Sequence, residues 1–186
     1  ISGKSIENLL GTSFCLDAAG NTTAQFPAFD DGLYFVELAD GAAQGDLTPL
    51  PSPEASVYKA LVVGVRDYVR KNHFPGAILG LSGGIDSALT LTVAVDALGA
   101  DKVKAIMMPS EFTASMSLED AETLADNLNV KYDVQPIKLM FDTFLSELSD
   151  EFDDLPFDQT EENIQARVRG VLLMALAGFF LLGLQE

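Results

Sequence analysis

The stretch GLSGGIDSALT, residues 80–90, places glycines, serines and one aspartate at a spacing that allows two chemistries. Gly80, Ser82 and Gly84 satisfy G-x-S-x-G, the pattern that exposes a nucleophilic serine on a sharp strand-to-helix turn. The same residues form a glycine-rich loop before a helix, where free backbone N–H groups and the helix dipole favour a bound phosphate. Other parts of the sequence must decide between these two chemistries.

The position of the histidine argues against a nucleophilic serine. Hydrolases with this serine pattern need a histidine base that follows the serine in the chain. The chain has one histidine, His73, and it precedes Ser82. We therefore expect no protein nucleophile here, and we interpret His73 as a capping or surface residue at a helix end.

The remaining pattern, S-G-G-x-D-S, differs from the two best-known phosphate loops, because the lysine of one and the G-x-G-x-x-G spacing of the other are absent. Adjacent glycines still allow close approach of the backbone, and Ser82 and Ser87 add hydroxyl donors suited to a pyrophosphate. Asp86 would repel phosphates unless a divalent cation lay between them, and Mg²⁺ commonly binds one carboxylate plus phosphate oxygens. The alternative is a plain Gly-Gly turn with Asp86 as the N-cap.

Helical and extended patterns alternate after residue 53, where Ser52, Pro53 and Glu54 supply an N-cap, a first-turn proline and an acid. This alternation predicts an α/β fold, a parallel sheet with helices on both faces and ligands beyond the carboxyl ends of the strands. The predicted elements are a helix over 53–72, a strand over 77–81, a helix over 86–98, a strand over 102–109, a helix capped by Ser117, a strand over 131–137, a helix over 138–149 and a helix capped by Thr160.

The region before residue 53 has a different character. Residues 1–40 contain short strands and turns, and residues 41–53 carry three prolines and two glycines that are typical of a linker. The lone cysteine, Cys15, lies in a predicted strand and excludes an internal disulfide, which favours a reducing compartment such as the cytoplasm.

Charge and hydropathy exclude further classes of protein. The net charge of −17 repels polyanions and argues against broad nucleic-acid binding, although its simplest consequence is solubility. The longest apolar run, residues 171–184, is shorter than the roughly 20 residues of a spanning helix. We expect a buried helix there and no membrane partner.

Ser82-Gly83-Gly84-Ile85-Asp86-Ser87, between a strand and a helix, resembles the PP-loop of ATP pyrophosphatases, whose fold is adenine nucleotide α-hydrolase-like. Three longer segments are similar to glutamine-dependent NAD(+) synthetases in particular. They are SPEASVYKALVVGVRDYVRKNHFPGAILGLSGGIDSAL, MPSEFTASMSLEDAETLADNLNV and TEENIQARVRGVLLMAL. The N-terminal strands resemble the end of that family's nitrilase-like glutaminase domain. The resemblance implies a glutaminase end over 1–40, a linker over 41–53 and a synthetase domain over 54–186 that is incomplete at its C-terminus.

The resemblance implies a ligase that converts deamido-NAD to NAD(+): ATP activates the nicotinate carboxylate as an acyl-adenylate, and ammonia released from glutamine displaces AMP. Met108 would lie on the adenine side, Asn163 and Arg167 would contact deamido-NAD, and Asp86 would bind Mg²⁺. From the residues alone, a surface interaction of Arg167 with Glu162 or Asn163 is the alternative. The residues expected to hold the ATP phosphates are Gly80, Leu81, Ser82, Gly83, Gly84, Ile85, Asp86 and Ser87.

Two departures from the family pattern shape these expectations. Cys15 is not in the Cys-Glu-Lys motif of the glutaminase, and residues 177–186 do not match the family's continuation toward a second ATP and magnesium segment. We therefore expect a fragment that by itself can be inactive. The alternatives are another PP-loop amidotransferase such as a GMP synthetase, or a non-catalytic piece whose apolar C-terminal helix forms a homo-oligomer.

Overall fold

The structure is a computed structural model that describes residues 12–39, 42–111, 113–152 and 159–183. The chain divides into two compact units, Ile1–Gly64 and Val65–Glu186. Helix α1, Pro53–Lys71, contains the division between them. The predicted domain limits at residues 40 and 53 remain a prediction.

The first unit contains two antiparallel hairpins. Strand β1 (Phe14–Leu16) pairs with β2 (Thr22–Gln25), and β3 (Glu37–Ala39) pairs with β4 (Ala42–Gln44). The predicted strand around the lone cysteine is therefore confirmed, whereas β4 occupies the start of the segment predicted as a linker. In the first hairpin, hydrogen bonds from the Asn21 side chain and nearby backbone N–H groups lower the pKa of the Asp17 carboxyl.

Helix α1 follows its sequence signals closely. The Ser52 hydroxyl accepts a hydrogen bond from the Ala55 N–H at 3.2 Å, as expected of an N-cap. At the other end His73 adopts a left-handed φ of 57°, and the Phe74 N–H donates to the Val69 carbonyl. This is the geometry of a Schellman cap, so the interpretation of His73 as a capping residue is confirmed.

The second unit is built on a parallel sheet of strand order β5-β6-β7. Its strands are Ala77–Leu81, Val103–Met107 and Lys131–Val134. In the register, Leu81 lies opposite Met107 and Met107 opposite Val134, so the three strands end together at the carboxyl edge. The predicted α/β fold with a parallel sheet is confirmed.

Helices cover both faces of this sheet. Helices α2 (Ile85–Leu98) and α3 (Ser115–Asn127) pack on one face, and α6 (Gln159–Gly183) packs on the other face together with α4 (Lys138–Glu147). A short helix, α5 (Ser149–Phe152), follows α4. The buried residues around which the first face packs are Leu81, Leu91, Ala94, Val103, Ala105, Met107, Ala121 and Val130; those of the second are Ile106, Met108, Ile137 and Val168.

Two predicted caps differ from the structure. Helix α3 begins at Ser115 with Ala114 in the N-cap position, so the prediction that Ser117 is the cap is wrong. Helix α6 begins at Gln159, one residue before the predicted cap Thr160. Within the described residues, no helix combines the length and apolar character needed to cross a membrane.

Candidate functional site: a glycine turn between strand and helix

The turn after β5 is shaped by Gly83. Its φ of +77° lies in the left-handed region, which residues with a Cβ avoid. A Cβ at this position would lie 2.5 Å from the carbonyl oxygen of Ser117 and 2.8 Å from its Cα, closer than any normal contact. The first turn of α3 therefore forms a wall behind the loop, and only glycine fits between the two.

Ser82 and Ser87 close the turn through their hydroxyls. The Ser87 Oγ donates to the Gly84 carbonyl at 2.9 Å and lies 2.9 Å from the Ser82 Oγ. With the Ser87 proton used in this way, the Ser82 hydroxyl donates to Ser87 and accepts from the Gly84 N–H at 3.3 Å. Both hydroxyls thus stand at the helix start in a network that an arriving phosphate could replace.

The N-terminus of α2 is open to an anion. Gly84 is its N-cap, with an extended backbone and no side-chain cap. The first N–H groups of a helix have no intrahelical acceptor, so they and the helix dipole favour negative charge. Because Gly84 holds the cap position and Asp86 lies in the first turn, Asp86 is not the N-cap that the alternative interpretation predicted.

The carboxylate of Asp86 is exposed and is not bound by any described residue. No hydrogen bond or ion pair to this carboxylate is found among the described residues, although its backbone carbonyl accepts from the Thr90 hydroxyl. In the same part of the chain, no group of three or more His, Cys, Asp or Glu side chains is arranged to hold a metal ion. An exposed carboxylate such as that of Asp86 can bind Mg²⁺ when phosphate and water oxygens supply the other ligands.

Gly80 and Met108 form the floor below the turn. Leu81, the last residue of β5, is buried, and a Cβ on Gly80 would lie 3.0 Å from the Cε of Met108 and 3.3 Å from a methyl group of Leu173. The absence of a side chain at Gly80 thus lets β6 and α6 pack against the strand that carries the loop. Met108, expected on the adenine side, is itself only 6% exposed, and its side chain belongs to this floor.

The segment after β6 is held from two directions. The Met107 and Pro109 carbonyls accept hydrogen bonds from the Gln135 and Ile137 N–H groups, which extend the pairing with the chain after β7. From the opposite helix, the Arg169 Nε donates to the Met108 carbonyl at 3.1 Å.

Asn163 and Arg167 lie together on α6, four residues apart and exposed. The Arg167 Nη1 is 3.3 Å from the Asn163 carbonyl oxygen and 3.5 Å from its Oδ1, which is the surface interaction weighed above as the alternative. The structure brings these two residues together, and no hydrogen bond between either of them and the loop is found in the described residues. Their assignment to deamido-NAD stays a prediction.

Sequence reasoning missed Ser117 and Arg169. Ser117 contributes its backbone, which carries no side-chain signature, although its place shortly after the second strand could have suggested closeness to the loop. Arg169 acts through a bond to a backbone carbonyl, and a backbone acceptor leaves no pattern in the sequence. An arginine within the buried stripe of a helix was the one available hint.

The family model described as NAD synthase matches residues 57–182, which include the glycine turn, the sheet and most of α6. The chain belongs to the NAD synthase family. The match reaches further into residues 177–186 than the resemblance predicted, and it does not favour the alternative of a GMP synthetase.

Curated relatives in this family are longer proteins. The glutamine-dependent NAD(+) synthetase of Acinetobacter baylyi is 43% identical over 173 residues, covering 91% of this chain and 32% of that protein. The enzyme of the same name from Thermotoga maritima is 47% identical over 134 residues, covering 72% and 23%. The chain thus spans a third or less of the length of these two relatives.

Solved structures agree with the fold. A glutamine-dependent NAD+ synthetase from Acinetobacter baumannii in complex with ADP superposes with a TM-score of 0.88 at 43% identity, over 92% of this chain and 33% of that one. An NH3-dependent NAD synthetase from Campylobacter jejuni gives a TM-score of 0.62 at 28% identity, over 70% and 55%. The sequence resemblance to this family is confirmed, while the nitrilase-like origin of the N-terminal strands stays a prediction.

Proposed function

We propose that this chain is the part of an enzyme that uses ATP to activate deamido-NAD for its amidation to NAD(+). The observation that carries the proposal is the site after β5, where a turn that only Gly83 fits, an uncapped helix N-terminus and the uncommitted Asp86 carboxylate occur together. The first two features favour an anion and the third favours a cation, a combination suited to a magnesium-bound triphosphate. The ADP bound by the relative from Acinetobacter baumannii supports a nucleotide at this fold.

The proposed reaction has two steps. A carboxylate oxygen of the nicotinate group attacks the α-phosphorus of ATP, and the bond to pyrophosphate breaks, giving an acyl-adenylate. Ammonia, released from glutamine by another domain, then attacks the acyl carbon, and AMP leaves with the bonding electrons. No side chain needs to attack, because positioning and charge stabilisation can supply the catalysis.

The residues of the loop would hold the phosphates and the leaving pyrophosphate. The Ser82 and Ser87 hydroxyls would exchange their mutual hydrogen bond for bonds to phosphate oxygens, and the open N–H groups of α2 would donate hydrogen bonds that stabilise the negative charge. A magnesium ion bound at Asp86 would neutralise charge that the protein leaves uncompensated. Met108 would lie on the adenine side, with Asn163 and Arg167 binding deamido-NAD.

The proposal includes a homo-oligomer in the cytoplasm. The cytoplasmic location rests on the lone cysteine. The oligomer rests on α6, where Val171, Met174 and Phe179 are each more than 60% exposed at helical spacing on one face. Large apolar side chains arranged in this way are typical of a surface that another subunit covers.

Isothermal titration of the chain with ATP, with and without Mg²⁺, tests the proposal. We expect magnesium-dependent binding that Asp86→Ala weakens at least about tenfold, as for loss of a metal-ligating carboxylate. The matched control is Asp101→Ala, because Asp101 is an exposed aspartate in the turn Ala100–Lys102, before the amino end of β6 and so at the opposite edge of the sheet. This control should bind as the wild type does.

A second titration tests the acceptor, with deamido-NAD added to the ATP-saturated chain and to Arg167→Ala. We expect binding that the substitution weakens. A folded wild-type chain that binds ATP equally well with and without magnesium would contradict the role of Asp86. One that binds neither ligand would contradict the proposed site in this chain altogether.

A further inference from the structure

The backbone carbonyl of Met108 faces a gap in the sheet. On either side of it, the Met107 and Pro109 carbonyls accept from the Gln135 and Ile137 N–H groups at 2.8 and 3.0 Å, so both point toward the chain after β7. Consecutive carbonyls of a strand point to opposite sides. The Met108 carbonyl therefore points toward β5.

Strand β5 has no amide to offer at that level. Its last paired residue is Leu81, opposite Met107, and the chain then turns away into the loop at Ser82. A carbonyl left without a donor at this partly buried position would cost free energy. The Arg169 Nε–H donates to the Met108 carbonyl at 3.1 Å, in place of an amide of β5.

A second hydrogen bond fixes the position of the Arg169 side chain. Its Nη2 lies 3.4 Å from the Oε1 of Gln165, one turn earlier on α6, and Gln165 is buried. No carboxylate forms an ion pair with Arg169 among the described residues, and partial burial lowers its pKa. A cation placed in an apolar helix face without a counter-ion is costly, and its bonds to the Met108 carbonyl and to Gln165 compensate part of that cost.

We propose that Arg169 is a positioning residue that fixes the Met108–Pro109 segment beside the phosphate loop and thereby sets the adenine side of the ATP site. This proposal rests on the function proposed above for that segment. Arg169 binds the Met108 carbonyl, whereas the Met108 side chain, which lies beside Gly80 of β5, is held by core packing that does not depend on that bond. The helix expected to bind the acceptor is thus joined to the strand expected to bind ATP.

Two probes separate this role from a general structural one: ATP with Mg²⁺, and inorganic tripolyphosphate with Mg²⁺, which lacks the adenosine. In Arg169→Met, which keeps an unbranched stem but removes the donor, we expect ATP to bind about tenfold more weakly, as for one lost charge-assisted hydrogen bond. Tripolyphosphate should bind within about twofold of the wild type. Arg169→Lys should recover part of the ATP affinity, because an ammonium group can also donate to the carbonyl.

The matched control is Arg70→Met, which removes an exposed arginine from the end of α1 and should leave both affinities unchanged. Equal weakening of both ligands in Arg169→Met would overturn the proposal, since the loop itself would then have lost its shape. Unchanged affinity for both ligands would overturn it as well.

Hydrogen exchange of the unliganded chain gives a readout that does not depend on the proposed function. In Arg169→Met the Gln135 and Ile137 amides, which bind the carbonyls flanking Met108, should exchange several-fold faster, while those of Lys131 and Asp133 stay protected. If the wild type binds neither ATP nor tripolyphosphate, the proposed function fails, and the exchange rates still decide the positioning role. Unchanged exchange at Gln135 and Ile137 would overturn that role.

Discussion

Replacing Gly83 by alanine should damage both the stability of the second unit and its affinity for phosphate. A left-handed φ costs a residue with a Cβ about 1–2 kcal/mol, and at Gly83 φ is +77°. The new Cβ would also lie 2.5 Å from the Ser117 carbonyl oxygen, an atom of the backbone that cannot rotate away. Moving a well-packed backbone apart costs about 1–3 kcal/mol.

Together these terms predict a loss of about 2–5 kcal/mol in the free energy of unfolding, measured by urea denaturation followed by circular dichroism. Part of the strain can instead be relieved by a shift of the loop away from α3, and that shift would misplace the N–H groups for the phosphates. We therefore expect ATP affinity, measured on the folded fraction, to fall at least about tenfold, as for one lost hydrogen bond to a charged group.

The neighbouring glycine provides a matched control. At Gly84 the φ is −86°, and an added Cβ would lie 3.4 Å from the Ser82 Oγ, which is an ordinary contact. Gly84→Ala should therefore change the free energy of unfolding by less than about 1 kcal/mol. The reasoning is refuted if Gly83→Ala is as stable as Gly84→Ala and retains the ATP affinity of the wild type.

Three further predictions concern other parts of the second unit. The Tyr132 hydroxyl is buried without a hydrogen-bond partner in the described residues, so Tyr132→Phe should raise the free energy of unfolding by about 1 kcal/mol in urea denaturation. Burial raises the pKa of Tyr132 above that of the unfolded chain. As the pH rises, the Tyr132 hydroxyl therefore loses its proton in the unfolded state before it does so in the folded state. The free energy of unfolding of the wild type should fall as the pH rises above about 10. A fall of the same size in Tyr132→Phe would contradict this explanation. Met174→Glu should dissociate the proposed oligomer, as measured by light scattering. The control is Glu162→Ala, an exposed position of α6 away from Val171, Met174 and Phe179, which should leave the oligomer intact. A wild-type chain that is a monomer would contradict the oligomer.

Local sequence signals predicted most of the elements. Ser52 and Pro53 fixed the start of α1, and the short apolar run before the glycine turn gave the limits of β5 as the structure has them. The parallel sheet followed from the alternation of helical and extended patterns, and the position of the glycine turn at its carboxyl edge followed from that sheet. The helix start, the strand limits and the order of the elements are determined by residues close together in the chain, so they could be predicted from a single sequence.

The features that the sequence did not predict depend on distant residues. Ser117 was predicted to cap its helix, yet the helix begins earlier and Ser117 lies against Gly83. Arg169 binds a carbonyl 61 positions away in the chain, and a backbone acceptor gives no pattern to search for. Strand β4 lies in a proline-containing segment whose composition indicated a linker.

The contact between Gly83 and Ser117 has a consequence for how the site comes into being during synthesis. The strand and the glycine turn leave the ribosome before the first turn of α3 does, so the turn is at first without the backbone of Ser117 that shapes it. The hydrogen bond between Ser82 and Ser87 can form early, because it is local. The contact with Ser117 that restricts the turn to one conformation forms only when α3 packs on the sheet. Phosphate affinity should therefore arise late in a nascent chain, in one step with the docking of α3, and not gradually with length.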